Sequence, residues 1–339
     1  MPFIAFDCEG PLTLNDNAFE FAKALMPKGD YFFTQISRFD DYLADIKKRP
    51  GYKAGDTLKL ILPFLKLFGA TNALLEEFSE KTLLLLRGVK ETIPKIAKLL
   101  PTFIVSTSYR PYLAALCNRI NFPLEQVFCT EVDFEVITLS PEEKRILREF
   151  YEEILLMPPI ELPLDAKTPE DLPPSLRNLL DRLEEIFFER IWAMDCGYFL
   201  REVNPIGGEE KAKACREIAS SLGEPYALGF YCGDSITDCQ ALELLREGGG
   251  VSLSFNGNRY ALRSAEFYVL SRSAYLFAEL VPLFLDGGVE ALRKFTGLPT
   301  GAEEFGVIPK ENEALFWELV KKSESMRKAV RGEAIGALG

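Results

Sequence analysis

Pro2-Phe-Ile-Ala-Phe-Asp-Cys-Glu-Gly-Pro11 decides the fold class, because an apolar run stops abruptly at two carboxylates, Asp7 and Glu9, and a turn residue, Gly10. A short uninterrupted apolar run of this kind reads as a strand buried on both faces, as in parallel sheets covered by helices. Its carboxylates then stand at the C-terminal edge of the sheet, where open α/β sheets keep their sites. The pattern recurs downstream. Thr102-Phe-Ile-Val-Ser106 reads as a strand followed by Thr107-Ser108 and a helix from about Pro111, and Ala227 to Cys232 reads as a strand ending at Gly233-Asp234-Ser235. Gln126 to Thr138 holds one or two short strands, Gly250 to Phe255 another, and Glu266 to Leu270 one more.

Helical patterns fill the intervals. Between Asn15 and Leu100 the spacing predicts several helices and no strand, the first capped by Asn15 or Asp16 and running through Leu25. Ser140 to about Met194 is charged and helical around a proline-rich interruption, Pro158 to Pro174. Gly207-Gly208 introduces a helix over Glu209 to Leu222, and the chain from about Ala274 reads as helices, the last from Glu311 to about Val330. Strand and helix in alternation predict an α/β protein with a doubly wound parallel, Rossmann-like sheet and helical insertions.

Composition narrows the chemistry. The 339 residues are 47% hydrophobic, enough for a large core, and the length favours more than one folding unit. Lys and Arg number 39 against 51 Asp and Glu, a net charge of −12 that disfavours nucleic-acid backbones and anionic membranes. Histidine is absent, which removes Ser-His-Asp, Cys-His and zinc-hydrolase chemistry together. Catalysis is left to carboxylates, Lys, Ser/Thr, Cys or a hard metal held by oxygen. Seven cysteines without a CxxC pair argue for a reducing, cytoplasmic setting, and charges interrupt every stretch that would approach the ~18 apolar residues of a membrane span.

Four pieces suit a phosphate. Asp7 and Glu9 place two carboxylates over one site across the turn at Gly10. Ser106, with Thr107 beside it, ends a strand just before a helix start, where hydroxyl and amide groups receive phosphate oxygens. Lys211 precedes Cys215, Ile218 and Leu222 at helical spacing and shares their buried face, whereas Lys213 points away; the choice between the two lysines stays open. Asp234 and Asp238, in Gly233-Asp-Ser-Ile-Thr-Asp238, add two carboxylates about one helical turn apart. Taken singly, each has a plain reading: a solvated turn, a helix cap, a solvated lysine, a capping loop. The plain reading also serves Cys8, Cys232 and Cys239 as packed residues, Asn256-Gly257-Asn258 as a tight turn, and Arg38, Tyr109 and Arg110 as surface side chains.

In kind and order these pieces resemble the four motifs of the haloacid-dehalogenase-like (HAD) hydrolases over residues 2 to about 270, most closely the phosphoserine-phosphatase-type branch. Asp7 to Glu20 is similar, more narrowly, to a branch of archaea and anaerobes, some of whose members are described as subunit R of an energy-converting hydrogenase. The resemblance implies a HAD core from 1–14, 100–138 and 195–285, a helical cap over 15–99, a helical insert over 139–194 and C-terminal helices over 286–339. It also implies Mg2+-dependent hydrolysis of a small phosphorylated metabolite through an aspartyl phosphate. Asp7 is then the nucleophile and Glu9 the acid/base; Ser106, Thr107, Gly10 and Lys211 bind phosphate; Asp7, Asp234 and the Glu9 carbonyl hold the metal, with Asp238 in support. Many of these phosphatases carry Asp where this chain has Glu9, and phosphotransferases with Glu there make transfer to a small hydroxyl acceptor an alternative. A further alternative is a non-catalytic HAD-fold subunit of an anaerobic redox complex. The insert is open to reading as solvated helices, a cover over the site or a dimer contact, so the oligomeric state stays open.

Overall fold

Residues 1–338 are described by a computed structural model. Seven strands form one sheet in the order β3-β2-β1-β4-β5-β6-β7. They are β1 (Phe3–Phe6), β2 (Thr102–Tyr109), β3 (Val127–Thr130), β4 (Gly229–Gly233), β5 (Val251–Phe255), β6 (Phe267–Ser271) and β7 (Ala302–Val307). β1 to β6 are parallel, and β7 runs antiparallel on the edge of β6. The chain winds outward from β1 through β2 to β3, then returns to the far side of β1 with β4. The reversal puts a crevice beyond the C-terminal ends of β1 and β4, the position that open α/β sheets use for ligands.

Why β1 is central follows from its sequence. All four of its residues are buried, and alternate side chains serve opposite faces. Ile4 and Phe6 pack in the core beneath helices Val89–Ile96, Arg110–Ile120 and Phe277–Lys294, with Phe6 edge-on to Phe277 at 4.9 Å between ring centroids. Phe3 and Ala5 enter the opposite core with Cys215, Ile218 and Leu245. The sheet is therefore sandwiched, which is why its strands read as apolar runs without alternation.

A third core is built mainly by helices, with Tyr109 entering it from the end of β2. Helices Asn17–Leu25 and Gly29–Asp41 pack with Pro141–Leu156 and with Ile186–Ile191, and Phe32, Phe64 and Tyr151 form one aromatic cluster within it. The stretches expected as a cap and as a separate insert thus share one hydrophobic interior, each covering apolar surface that the other would expose to water.

Three expectations need correction. Residues 286–339 are not helices only: Ala302–Val307 is a strand, hidden from periodicity because an edge strand with one partner and mostly half-buried side chains lacks an apolar run. Val89–Ile96, grouped with the cap by its helical pattern, packs on the sheet through Val89, Ile93 and Ile96. Tyr109 is not a surface residue; it is fully buried and donates its hydroxyl to the Leu58 carbonyl at 2.5 Å. No single helix among the described residues is long and apolar enough to cross a membrane.

Candidate active site

β1 delivers Asp7 directly. The Asp7 amide donates to the Cys232 carbonyl at 2.8 Å, extending the ladder one step past β1, and the Cys8 amide donates to Asp7 Oδ1 at 2.7 Å. The chain then turns at Gly10, whose φ of +106° favours glycine. The turn also lies against the fourth motif: a Cβ on Gly10 would stand 2.2 Å from Asp234 Oδ2. We expect Gly10→Ala to lose roughly 2 kcal/mol or more in urea unfolding, from backbone strain and this clash together. Unchanged stability would show that the turn can move off Asp234.

Lys211 is fully buried on the inward face of helix Glu209–Leu222 and bridges Asp7 Oδ2 at 2.9 Å and Asp238 Oδ1 at 2.7 Å. Lys213 is exposed and faces Glu210, so the geometry selects Lys211 as the lysine at the carboxylates. Asp238 is saturated: Lys211 and the Tyr231 hydroxyl bond Oδ1, while the Asp234 and Ser235 amides bond Oδ2. Burial would raise its pKa, but these donors outweigh burial and hold it below the usual carboxylate range. Burial also pulls the Lys211 pKa down, yet Asp238 and Asp7 override it and keep the ammonium charged.

The remaining carboxylates are undercompensated. Burial, with repulsion from Asp238 and Asp234, pushes Asp7 up to about 7 despite Lys211. Glu9, whose Oε1 accepts from the Asn17 amide at 2.8 Å, is raised well above its ordinary value by burial and by Asp16. Carboxylate oxygens of Asp7, Asp234 and Asp238 come within 4.8 Å of one another. Hard oxygen donors gathered this closely fit a hard divalent cation, which Asp7 and Asp234 would hold directly. Asp238, its oxygens already occupied, belongs behind them.

Ser106 is buried at the site and its Oγ accepts from the Ser108 amide at 3.2 Å. Thr107 lines the same cavity but donates its hydroxyl to the Ile206 carbonyl at 3.1 Å, tying β2 to the loop before Lys211. β2 continues to Tyr109 instead of ending at Ser106, so the helix after it starts at Arg110. The Asn256-Gly257-Asn258 loop supports the site from behind, with the Asn258 amide donating to the Asp234 carbonyl at 3.0 Å. Cys8 is buried, and burial and flanking Glu9 and Asp7 push its thiol well up, which leaves it packed and unreactive. Arg38 pairs at 3.1 Å with Asp41, which lines the cavity, and Arg110 pairs with Glu131 at 2.8 Å outside it.

The cavity over these groups is about 100 Å³, closed by the helical body on one side and by the C-terminal segment on the other. On the first side Gly55 packs against Thr107 and Thr237. Asp40 holds that loop, accepting from the Tyr52 hydroxyl at 2.6 Å and the Gly55 amide at 2.9 Å. Burial raises Asp40 to about 8, aided by Asp56 and Asp41 and opposed by its two donors. A carboxyl that is more basic folded than unfolded stabilises the protein when protonated, and that contribution fades as pH rises from about 4 towards about 8. We expect Asp40→Asn, neutral at every pH, to gain melting temperature relative to wild type across this interval; a difference independent of pH would refute the shift.

Sequence reasoning missed Arg327 and Arg331. Both come from the C-terminal helix Glu313–Arg331 and pair with Asp234 Oδ2, Arg331 at 3.2 Å. A signal existed: Phe316, Val320, Ser323, Arg327 and Arg331 fall at helical spacing on one face, so a buried stripe ends in two arginines.

Fold and site together define an α/β protein with a Rossmann-like, mostly parallel sheet that carries a carboxylate–lysine cluster at its switch point. No family model matches the chain, and no curated protein matches it. Among solved structures it is similar to gene product AF1437 from Archaeoglobus fulgidus, at 29% identity and a TM-score of 0.84, over 100% of this chain and 99% of that one. That likeness spans the whole architecture, including the C-terminal helix. Two phosphoserine phosphatase structures also match over 82% of this chain: the apo form at 13% identity, covering 98% of that chain with a TM-score of 0.46, and a substrate-bound complex at 11%, covering 97% with a TM-score of 0.49.

Proposed function

We propose that the protein is a HAD-type phosphatase that cleaves a small phosphomonoester through an aspartyl phosphate on Asp7 and uses Mg2+. The observation that carries this reading is Lys211 bridging Asp7 and Asp238 in a buried cluster that also includes Asp234. Asp7 attacks phosphorus in line, forming an O–P bond as the bond to the leaving oxygen breaks. Glu9, whose carboxyl burial and Asp16 push well above its ordinary value, gives its proton to the leaving alkoxide. It then takes a proton from the water that releases phosphate from Asp7, which restores both carboxyl groups. Ser106 and Lys211 hold phosphoryl oxygens while charge spreads over them. A divalent cation on Asp7 and Asp234 would supply the charge neutralisation that lets one carboxylate approach a phosphate dianion.

The substrate is a small phosphorylated metabolite, in keeping with a cavity of about 100 Å³. Phosphate release from p-nitrophenyl phosphate and a panel of small phosphomonoesters, with Mg2+ or with EDTA, tests the reading. Release is expected with Mg2+ and not with EDTA. Release seen only when an alcohol acceptor is added would assign a phosphotransferase, and no release from any mixture by folded protein would exclude both.

A further inference from the structure

The helix Glu313–Arg331 does more than cover the sheet. Phe316, Leu319 and Val320 bury its first half, and the Ser323 hydroxyl donates to the Gly257 carbonyl at 2.6 Å. Its last turns then enter the carboxylate cluster. Arg327 donates to the Asp234 carbonyl at 2.9 Å as well as to Oδ2, and to the Leu338 carbonyl at 3.3 Å; its Nε is buried without a partner. Arg331 also donates to the Leu14 and Asn15 carbonyls. Both side chains are at least nine-tenths buried.

Two guanidinium groups therefore sit on one oxygen of the carboxylate that must also serve a divalent cation. Backbone carbonyls hold both arginines beside Asp234. Cations this close repel strongly in a buried site. The same segment closes the cavity: Leu338 forms part of its wall, and Arg38 of the helical body donates to the neighbouring Ala337 carbonyl at 2.6 Å. Arg327 thus links Asp234 directly to the segment that forms this part of the wall.

We propose that Arg327 and Arg331 are positioning residues that make the C-terminal helix compete with the divalent cation for Asp234, so that cation binding and seating of this helix oppose one another. The inference rests on the cation site of the proposed function. Competition is reciprocal: the arginines weaken cation affinity, and the cation loosens the helix by the same factor. The part of the cavity wall formed by Leu338 then loosens as the site is loaded.

Isothermal titration of the full chain with MgCl2, for wild type, Arg327→Gln, Arg331→Gln and Asp234→Asn, separates the possibilities. Each Gln variant is expected to bind Mg2+ about tenfold tighter or more, and Asp234→Asn to lose binding. Equal or weaker binding in folded Gln variants would overturn the proposal, because arginines that merely orient Asp234 should help the cation. A second measurement covers variants that fail to fold: Mg2+ should speed amide hydrogen exchange over residues 327–338 of wild type, and unchanged or slower exchange would overturn the proposal. Absence of Mg2+ binding in wild type and in both Gln variants, or Asp234→Asn that binds it as well as wild type, removes the cation site itself and both readings with it. Mg2+ binding that depends on Asp234 but not on either arginine removes this one alone.

Discussion

Asp7→Asn is expected to lower Mg2+-dependent phosphate release by at least about a thousandfold while the protein stays folded, because an amide of the same shape cannot form the covalent intermediate. The substitution removes one negative charge from a cluster in which Asp7 is already pushed up to about 7 by burial and by Asp238 and Asp234. Stability should therefore hold or rise, and activity and stability should part company. Phosphate release within about tenfold of wild type would mean that another group, or water directly, attacks phosphorus. Single-turnover assays with acid quench would add a second reading: phosphate trapped covalently on wild type and not on the variant.

Lys211→Met should do the opposite and damage the fold first. The ammonium is the shared partner of Asp7 and Asp238, at 2.9 and 2.7 Å, with no exposed surface of its own. Removing it leaves two buried carboxylates facing each other, and breaking a buried pair on one side costs about 3–5 kcal/mol. Urea unfolding at neutral pH reads this directly. A loss under about 1 kcal/mol would show that Tyr231 and the Asp234 and Ser235 amides suffice for Asp238. The variant should also be inactive, since it lacks the ammonium that stands beside Asp7 to hold the phosphoryl oxygens.

What could be read in the sequence, and what could not, divides along a physical line. Residues that end a buried strand announce themselves, because burial on both faces leaves an unbroken apolar run and the first carboxylate after it marks the edge; Asp7 and Asp234 are of this kind. Lys211 was legible through spacing, since Cys215 and Ile218 on the same helix face had to be buried. The shared helical core was not legible. Phe32 meets Tyr151 at 4.7 Å, and Tyr31 donates to the Met157 carbonyl, pairings between distant segments that no local period encodes. The arginines on Asp234 were obscured for another reason. Helix Glu313–Arg331 also carries Lys321, Lys322 and Lys328, so its charge pattern reads as a solvated face until the sheet shows which side is inward.

The place of β1 has a consequence for how the molecule is made. Phe3 to Phe6 pair on one side with the strand beginning at Thr102 and on the other with the strand beginning at Gly229. A chain emerging in order thus holds its most apolar strand, with Asp7 at its tip, unpaired on one edge until more than half of its length exists. Such an edge is a template for other strands. Fragments that stop short of Gly229 should aggregate through it, and refolding should be slow and concentration-sensitive because the central strand waits for its most distant neighbour.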